Sequence, residues 1–325
     1  MKITRWVFAA LLAVAVIGAG TLYARYQAAL VEAQQRLAAF AVEQVQTRSG
    51  PLAYAEAGDG PPVLMIHGSG GGYDQGLSIA GPLIERGYKI ISPSRFGYPG
   101  SAAPEDRSAN AQADVFVDLL DALGLDRVAV IGGSAGARSA LAFAIRHPER
   151  CAALILIVPA LDVPGLPPVE PWSPLQERLV KAALRSDFLF WLAIEFMPDR
   201  MTRLVLATDP ALVAAAGPAE QARVARIRRS ILPVSARAEG LWADTVGGYG
   251  DLDVRRIAVP TLAISAEDDF FDTATSARHI AAMVDGAELI VYPDGGHIWI
   301  GRGKEMFDTI AAFIDRIAGN PTNGQ

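Results

Sequence analysis

The sequence predicts an α/β fold in which a mostly parallel, doubly wound sheet carries an inserted helical cap and follows an N-terminal membrane helix. Three observations predict it. From about residue 50 onward, short apolar runs alternate with segments of helical composition. One interval, 162–256, interrupts this alternation without a convincing strand. The first 24 residues contain a long uncharged stretch.

Composition limits the functions to be considered. The chain has 325 residues, of which 51% are hydrophobic and 20% are charged, so it can bury a large core. A net charge of -6 gives no general attraction to phosphate backbones, and we expect no nucleic-acid partner. One cysteine and four scattered histidines predict neither an internal disulfide nor a zinc site. Small molecules are therefore the expected ligands.

The N-terminal segment 1–24 is predicted to be a signal anchor. Residues 7–24 form an uncharged stretch. Its length is about the minimum for a bilayer-spanning helix and exceeds that of the apolar region of most signal peptides. A cleavable signal is the alternative, because the small residues at 18–20 resemble a processing site. Residues 25–49 are rich in Ala, Gln and Glu and predict a helical stalk. The tail, 320–325, is expected to be flexible.

Charges beside the apolar stretch predict its orientation. Lys2, Arg5 and the terminal amine precede the stretch, whereas Arg25 and Arg36 follow it with Glu32 nearby. The positive-inside tendency then favours a cytoplasmic N-terminus, with the rest of the chain outside the cytoplasm. A cleaved signal would instead give a secreted or periplasmic protein.

Seven predicted strands organise the remainder of the chain. Several are continuously apolar, as central parallel strands are when helices cover both faces. We expect residues 50–161 and 257–319 to form one sheet domain, with 162–256 inserted as a helical cap. The predicted strands lie at 52–58, 62–68, 88–94, 127–133, 152–160, 260–266 and 287–293.

Ser134 lies in the pentapeptide GGSAG, 132–136, at a predicted strand-to-helix junction. A sharp turn of this kind forces the serine into strained backbone geometry, and the residues two before and two after it must be small so that strand and helix can approach. Both are glycine here. Ser134 is therefore a candidate nucleophile, but glycine and serine are also common in plain turns, so the pentapeptide alone does not decide between the two.

Three further motifs follow predicted strands. They are HGSGGG at 67–72, AEDD at 266–269 and GGH at 295–297. The carboxyl ends of parallel strands meet at one edge of the sheet, where open α/β sheets build their sites. We therefore expect these motifs to lie close to Ser134.

In this order, serine before acid before histidine, the motifs strongly resemble the α/β-hydrolase family over about residues 50–318. The resemblance implies that Ser134 is the nucleophile, His297 the base and Asp269 the acid that orients the histidine. Asp268 is the competing candidate for the acid, because both aspartates sit at one strand end.

The resemblance also implies an oxyanion hole. The chemistry that it implies needs no cofactor or metal. Its donors would be the backbone N–H of Ala135 and that of either Ser69 or Gly70. His67, at the start of the same glycine-rich loop, is expected to orient that loop by hydrogen bonding rather than to take part in catalysis.

The expected function is a serine hydrolase that cleaves carboxylic esters of small to medium, lipophilic substrates through an acyl-enzyme intermediate. Phe188, Trp191 and Phe196 are candidates for an apolar acyl pocket, although such a cluster more often forms the core of the cap itself. Two alternatives stay open. One is a carbon–carbon bond hydrolase of ring-cleavage products, because HGSG resembles the oxyanion loop of those enzymes. The other is a ligand-binding receptor on a hydrolase scaffold.

Overall fold

Eight strands form one mixed sheet in the described part of this computed structural model, which covers residues 2–163, 172–246 and 252–319. The strands are β1 (Val42–Thr47), β2 (Gly50–Ala57), β3 (Pro62–Ile66), β4 (Lys89–Pro93), β5 (Val128–Gly133), β6 (Cys151–Ile157), β7 (Thr261–Ala266) and β8 (Glu288–Tyr292). Their order across the sheet is β1-β2-β4-β3-β5-β6-β7-β8. The β1–β2 and β2–β4 pairs are antiparallel, and the other pairs are parallel.

Helices cover both faces of this sheet. The helices of the described residues are α1 (Lys2–Ala38), α2 (Tyr73–Ile84), α3 (Ala109–Ala122), α4 (Gly136–Arg146), α5 (Pro174–Leu184), α6 (Asp187–Phe196), α7 (Pro198–Val205), α8 (Pro210–Ala215), α9 (Pro218–Ser230), α10 (Ala238–Val246), α11 (Thr273–Met283) and α12 (Gly303–Ala318). Helices α3, α4 and α11 contribute to the core on one face, and α2 and α12 to the core on the other. The predicted doubly wound, mostly parallel sheet is confirmed.

The central strands are apolar on both sides because both sides are covered. In β5, Val130 belongs to one core and its neighbour Ile131 to the other, since successive side chains of a strand point to opposite faces. Both are fully buried, and each such side chain contributes roughly 1.5–3 kcal/mol to folding. All seven predicted strands are found, with bounds that differ by at most three residues.

The predicted stalk, 25–49, is helical only to Ala38. The chain then turns and forms β1 (Val42–Thr47), which pairs with β2 from Val42 opposite Ala55 to Thr47 opposite Gly50. Most residues of this edge strand are exposed. The strand is therefore held in the sheet by backbone hydrogen bonds to β2 rather than by burial of apolar side chains. The prediction of a helix through 42–47 is therefore wrong, and the sheet begins earlier in the chain than expected.

Between β6 and β7, the described residues 172–246 form helices α5 to α10 and contain no strand. Two stretches of the predicted cap, 164–171 and 247–251, lie outside the described residues. The predicted tail, 320–325, also lies outside them. We refer to α5–α10 as the inserted helices.

Helix α1 runs without a break from the uncharged stretch to the inserted helices. The segment Trp6–Ala38 is long and apolar enough to cross a membrane, and its most apolar part is not buried against the protein. Further along, the ring of Tyr26 lies 5.1 Å from that of Phe188. Arg36 donates hydrogen bonds to the carbonyls of Ser230 (3.0 Å) and Leu232 (2.6 Å). One helix therefore joins the apolar N-terminal stretch to the domain.

Candidate active site

Ser134, His297 and Asp269 form a hydrogen-bonded chain at the carboxyl edge of the sheet. Ser134 follows β5, Asp269 follows β7 and His297 follows β8. The Ser134 hydroxyl lies 2.9 Å from Nε2 of His297, and Nδ1 of His297 lies 2.7 Å from Oδ2 of Asp269. The structure thus brings together the three residues that the sequence motifs singled out.

The turn around Ser134 is tight for a steric reason. Ser134 has a φ of 51°, a left-handed conformation that costs a non-glycine residue roughly 1–3 kcal/mol. A Cβ on Gly132 would lie 2.6 Å from the Cβ of Ala140, and a Cβ on Gly136 would lie 2.4 Å from the carbonyl oxygen of His67. Only glycine fits at either position, so the turn projects the serine hydroxyl beyond the strand end.

The Asp269 carboxylate is buried and fully partnered. It accepts hydrogen bonds from the hydroxyl of Thr273 and from the N–H of Phe271, in addition to its contact with His297. Burial alone would raise the pKa of this carboxyl, but the interaction with His297 and these hydrogen bonds outweigh burial and hold the pKa below its ordinary value. An anionic Asp269 favours the tautomer with the proton on Nδ1, which leaves Nε2 of His297 free to accept from Ser134.

Asp268 has a different set of partners. Its carboxylate accepts from the backbone N–H groups of Gly295 (3.2 Å) and Gly296 (2.8 Å). These glycines precede His297, so Asp268 holds the loop that carries the histidine. Of the two candidate acids, Asp269 is the one beside the imidazole.

The glycine-rich loop after β3 runs directly beside the serine. A Cβ on Gly68 would lie 3.1 Å from the Cβ of Ser134. The N–H groups of Ser69 and Ala135 have no hydrogen-bond partner among the described residues. The N–H of Gly70 already donates to the hydroxyl of Tyr98 at 3.2 Å. Of the predicted loop donors, Ser69 is therefore available to a ligand and Gly70 is not.

His67 is a fixed part of this loop. Its Nε2 accepts from the backbone N–H of Arg95 (2.9 Å), and its Nδ1 donates to the carbonyl of Gly68 (2.7 Å). Complete burial, together with the positive charge of Arg95, lowers its pKa well below the ordinary value. His67 is thus a neutral side chain with both ring nitrogens engaged.

A buried ionic cluster, which the sequence did not reveal, connects the inserted helices to this loop. Asp244 of α10 binds Arg95 through two hydrogen bonds (2.9 and 2.6 Å) and also accepts from Arg138 (3.1 Å), Tyr98 (2.5 Å) and the Ser69 hydroxyl (2.9 Å). Burial would raise the pKa of Asp244, but the charge of Arg95 and these hydrogen bonds lower it well below its usual range. Asp244 and its partners come from four separate segments of the chain, so no local sequence motif indicates the cluster.

The site opens into a cleft of about 2350 Å³ that also reaches helix α1. Apolar side chains of its lining include Leu161, Val163, Leu206, Ile227, Ile231, Leu241 and Phe271. The predicted pocket residues Phe188, Trp191 and Phe196 are not among them. Trp191 is instead buried against α1, and Phe196 lies on the surface. The acyl-pocket prediction is wrong, because Phe188 and Trp191 pack in a cluster with α1 and Phe196 is exposed.

The family comparison matches residues 61–300 to the α/β hydrolase fold. The chain is 28% identical over 285 residues to the uncharacterized hydrolase YcgS of Bacillus subtilis, a match that covers 84% of this chain and 98% of that protein. It is also 28% identical over 257 residues to a 2-hydroxy-6-oxo-6-phenylhexa-2,4-dienoate hydrolase of Burkholderia cepacia, covering 74% of this chain and 83% of that protein.

Among solved structures, the chain resembles a membrane phospholipase A described as a bacterial virulence factor. The TM-score is 0.63 at 24% identity, and the match covers 98% of this chain and 100% of the other. At this level of identity the likeness concerns the fold alone.

Proposed function

Since this chain belongs to the α/β-hydrolase family and is a hydrolase, we propose that it cleaves carboxylic esters through an acyl-enzyme intermediate on Ser134. The observation that carries the proposal is the hydrogen-bonded chain from Ser134 through His297 to Asp269. A serine hydroxyl is a weak nucleophile near neutrality, and a base at 2.9 Å is placed to take its proton during attack.

In the first half-reaction, Oγ of Ser134 attacks the acyl carbon while its proton passes to Nε2 of His297. The resulting imidazolium is stabilised by the Asp269 carboxylate. The oxyanion accepts hydrogen bonds from the free N–H groups of Ser69 and Ala135, the latter at the N-terminus of α4. His297 then returns the proton to the leaving alcohol, and the carbon–oxygen bond of the ester breaks.

In the second half-reaction, water replaces the alcohol. His297 takes a proton from the water as its oxygen attacks the acyl carbon, and the same two N–H groups hold the oxyanion. The proton returns to Oγ of Ser134 as the acid leaves. The chemistry requires only groups of this chain, the ester and water.

Lipophilic substrates of small to medium size suit the cleft. Its wall near the serine carries Leu161, Ile231 and Phe271, which give an acyl chain an apolar surface. The ring of Phe271 lies 5.1 Å from that of His297, so this surface begins at the reacting atoms.

Residues 7–24 anchor the enzyme in a membrane, with the catalytic domain outside the cytoplasm. Support comes from α1, because the segment Trp6–Ala38 is long and apolar enough to cross a membrane and its most apolar part is not buried against the protein. Signal cleavage followed by secretion or release to the periplasm is the alternative.

Carbon–carbon bond hydrolysis is the second candidate reaction. It is favoured by the identity to the Burkholderia cepacia dienoate hydrolase. The two reactions share a serine site and differ in substrate. Comparing kcat/KM for a panel of p-nitrophenyl esters with that for a ring-cleavage dienoate decides between them, and a higher value for the dienoate would replace the ester proposal.

Fluorophosphonate labelling tests the nucleophile. We expect wild-type protein to be labelled and to hydrolyse p-nitrophenyl butyrate, whereas Ser134→Ala should lose both and fall by more than about a thousandfold in kcat. Ser139→Ala, at a buried serine of α4, is the matched control and should keep both. Labelling or turnover by Ser134→Ala would overturn the assignment. Labelling of the wild type without turnover would favour the receptor alternative.

A further inference from the structure

Helix α1 fixes the height of the domain above the bilayer, given the proposed anchoring. The uncharged stretch 7–24 is about 27 Å long as a helix, close to the roughly 30 Å of a hydrocarbon core. The whole stretch 7–24 is therefore needed to cross the hydrocarbon core. The hydrocarbon boundary on the domain side falls near Ala24, just before the first charged residue, Arg25.

Helix α6 lies at that boundary. Leu22, inside the spanning stretch, shares an apolar cluster with Trp191 and Phe188 of α6. Tyr26, two residues and about 3 Å beyond Ala24, has ring centroids of Phe188 and Trp191 at 5.1 and 5.7 Å. Because α1 is one unbroken helix, these contacts place α6 within a few ångströms of the lipid.

The same helix exposes large apolar side chains. Leu189 is 53% exposed and Phe196 is 59% exposed, and Met197, directly after α6, is 44% exposed. Aromatic and apolar side chains at this height are typical of the membrane–water interface. We propose that Leu189, Phe196 and Met197 form a second membrane contact, occupied by the lipid bilayer, through which the anchored enzyme receives its ester.

A route from this surface to the serine continues through α7. Leu204 is 69% exposed, and Leu204, Val205 and Leu206 all line the catalytic cleft. Phe270 donates its N–H to the carbonyl of Ala207, just after α7, and the ring of the next residue, Phe271, lies 5.1 Å from that of His297. An acyl chain leaving the bilayer thus meets apolar side chains from α7 to the catalytic histidine. The inference deepens the proposed function, because it assigns esters dissolved in a membrane as the substrate class.

Spin labels measure the contact independently of activity. The full chain is placed in phosphatidylcholine vesicles with one introduced cysteine, Leu189→Cys or Phe196→Cys. The native Cys151 interferes little, because burial raises the pKa of its thiol to about 12. Glu149→Cys is the control. Glu149 is exposed and lies just before the amino end of β6, whereas the active site lies at the carboxyl ends of the strands.

Oxygen concentrates in bilayers, whereas a nickel chelate stays in water. We expect the ratio of oxygen to nickel accessibility at 189 and 196 to exceed the ratio at 149 by about threefold or more. Equal ratios at the three positions would overturn the second membrane contact.

An activity arm separates this contact from the proposed function. Phe196→Asp should lower hydrolysis of a long-chain ester dissolved in the vesicles by about tenfold and leave hydrolysis of a soluble short-chain ester unchanged. Met283→Asp, at an exposed apolar residue of α11, should change neither. Equal loss on both esters in Phe196→Asp would count against delivery from the bilayer. Failure of wild-type protein on every ester would refute the ester proposal, while the spin-label ratios would still decide the contact.

Discussion

Two adjacent carboxylates at the end of β7 have different partners, and asparagine substitution separates their roles. Asp269→Asn removes the charge beside Nδ1 of His297 and should lower kcat by about 10⁴-fold. Asp268→Asn keeps one oxygen that can accept from Gly296 and should cost less than about tenfold. Steady-state kinetics on a soluble ester measure both effects. Similar losses would show that the loop, and not the charge at the imidazole, limits turnover.

The carboxylate of Asp244 makes stability depend on pH. Replacing it with asparagine removes the buried anion paired with Arg95 and should reduce the free energy of unfolding by about 3 kcal/mol at pH 7. The pKa of Asp244 is lower in the folded chain than in the unfolded chain. Its stabilisation is therefore complete above about pH 4 and is lost as the pH falls further.

Urea unfolding of wild-type and Asp244→Asn protein measures this effect. The difference between the two should stay constant from pH 7 to about pH 5 and shrink below about pH 4. Asp59→Asn, at an exposed aspartate, serves as the control and should match the wild type throughout. A difference that widens on acidification would contradict the assigned direction.

At the scale of elements, strand β1 is the part of the sheet most open to test. A chain beginning at residue 40 keeps β1, whereas one beginning at residue 48 loses its six paired residues. Cross-strand pairs contribute a few tenths of a kcal/mol or more each, so the shorter chain should melt about 5 °C lower or more. Differential scanning calorimetry compares the two, and equal melting temperatures would mean that β1 adds no stability.

Burial explains which elements the sequence predicted. Strand β5 is a continuous apolar run because helices cover both its faces, and this pattern is visible in the sequence alone. Strand β1 is mostly exposed and therefore carries no apolar pattern, so its composition wrongly predicts a helix. Trp191 shows the same limit, because its aromatic neighbours indicated a cluster but not that α1 would complete it.

Some residues of the candidate active site are likewise predictable from the sequence, and others are not. Ser134 and the glycines around it form a local motif whose geometry follows from a turn within five residues. The contacts of Asp244 join residues up to 175 positions apart, and only the folded chain brings them together. The choice between Ser69 and Gly70 depends on the hydroxyl of Tyr98, which lies 28 positions from Gly70 in the sequence.

At the scale of the whole molecule, the charges at the two ends of the apolar stretch predict the side on which the domain lies. We expect full-length protein to sediment with membranes and its domain to be digested by protease added to intact spheroplasts. A cytoplasmic protein should remain protected in the same sample, and a periplasmic one should be cleaved. A protected domain beside a digested periplasmic marker would place the enzyme on the cytoplasmic face.

Helix α1 has 37 residues and a length of about 55 Å, and from Thr21 to Ala38 it contains neither glycine nor proline. This segment has no glycine or proline at which to bend, so, given the proposed anchoring, a tilt of the helix at Thr21 is passed to the domain. Spanning helices tilt to match bilayers of different thickness. The acyl length of the host lipids would then set the angle at which the cleft meets the membrane, and the lipid composition itself would tune the enzyme.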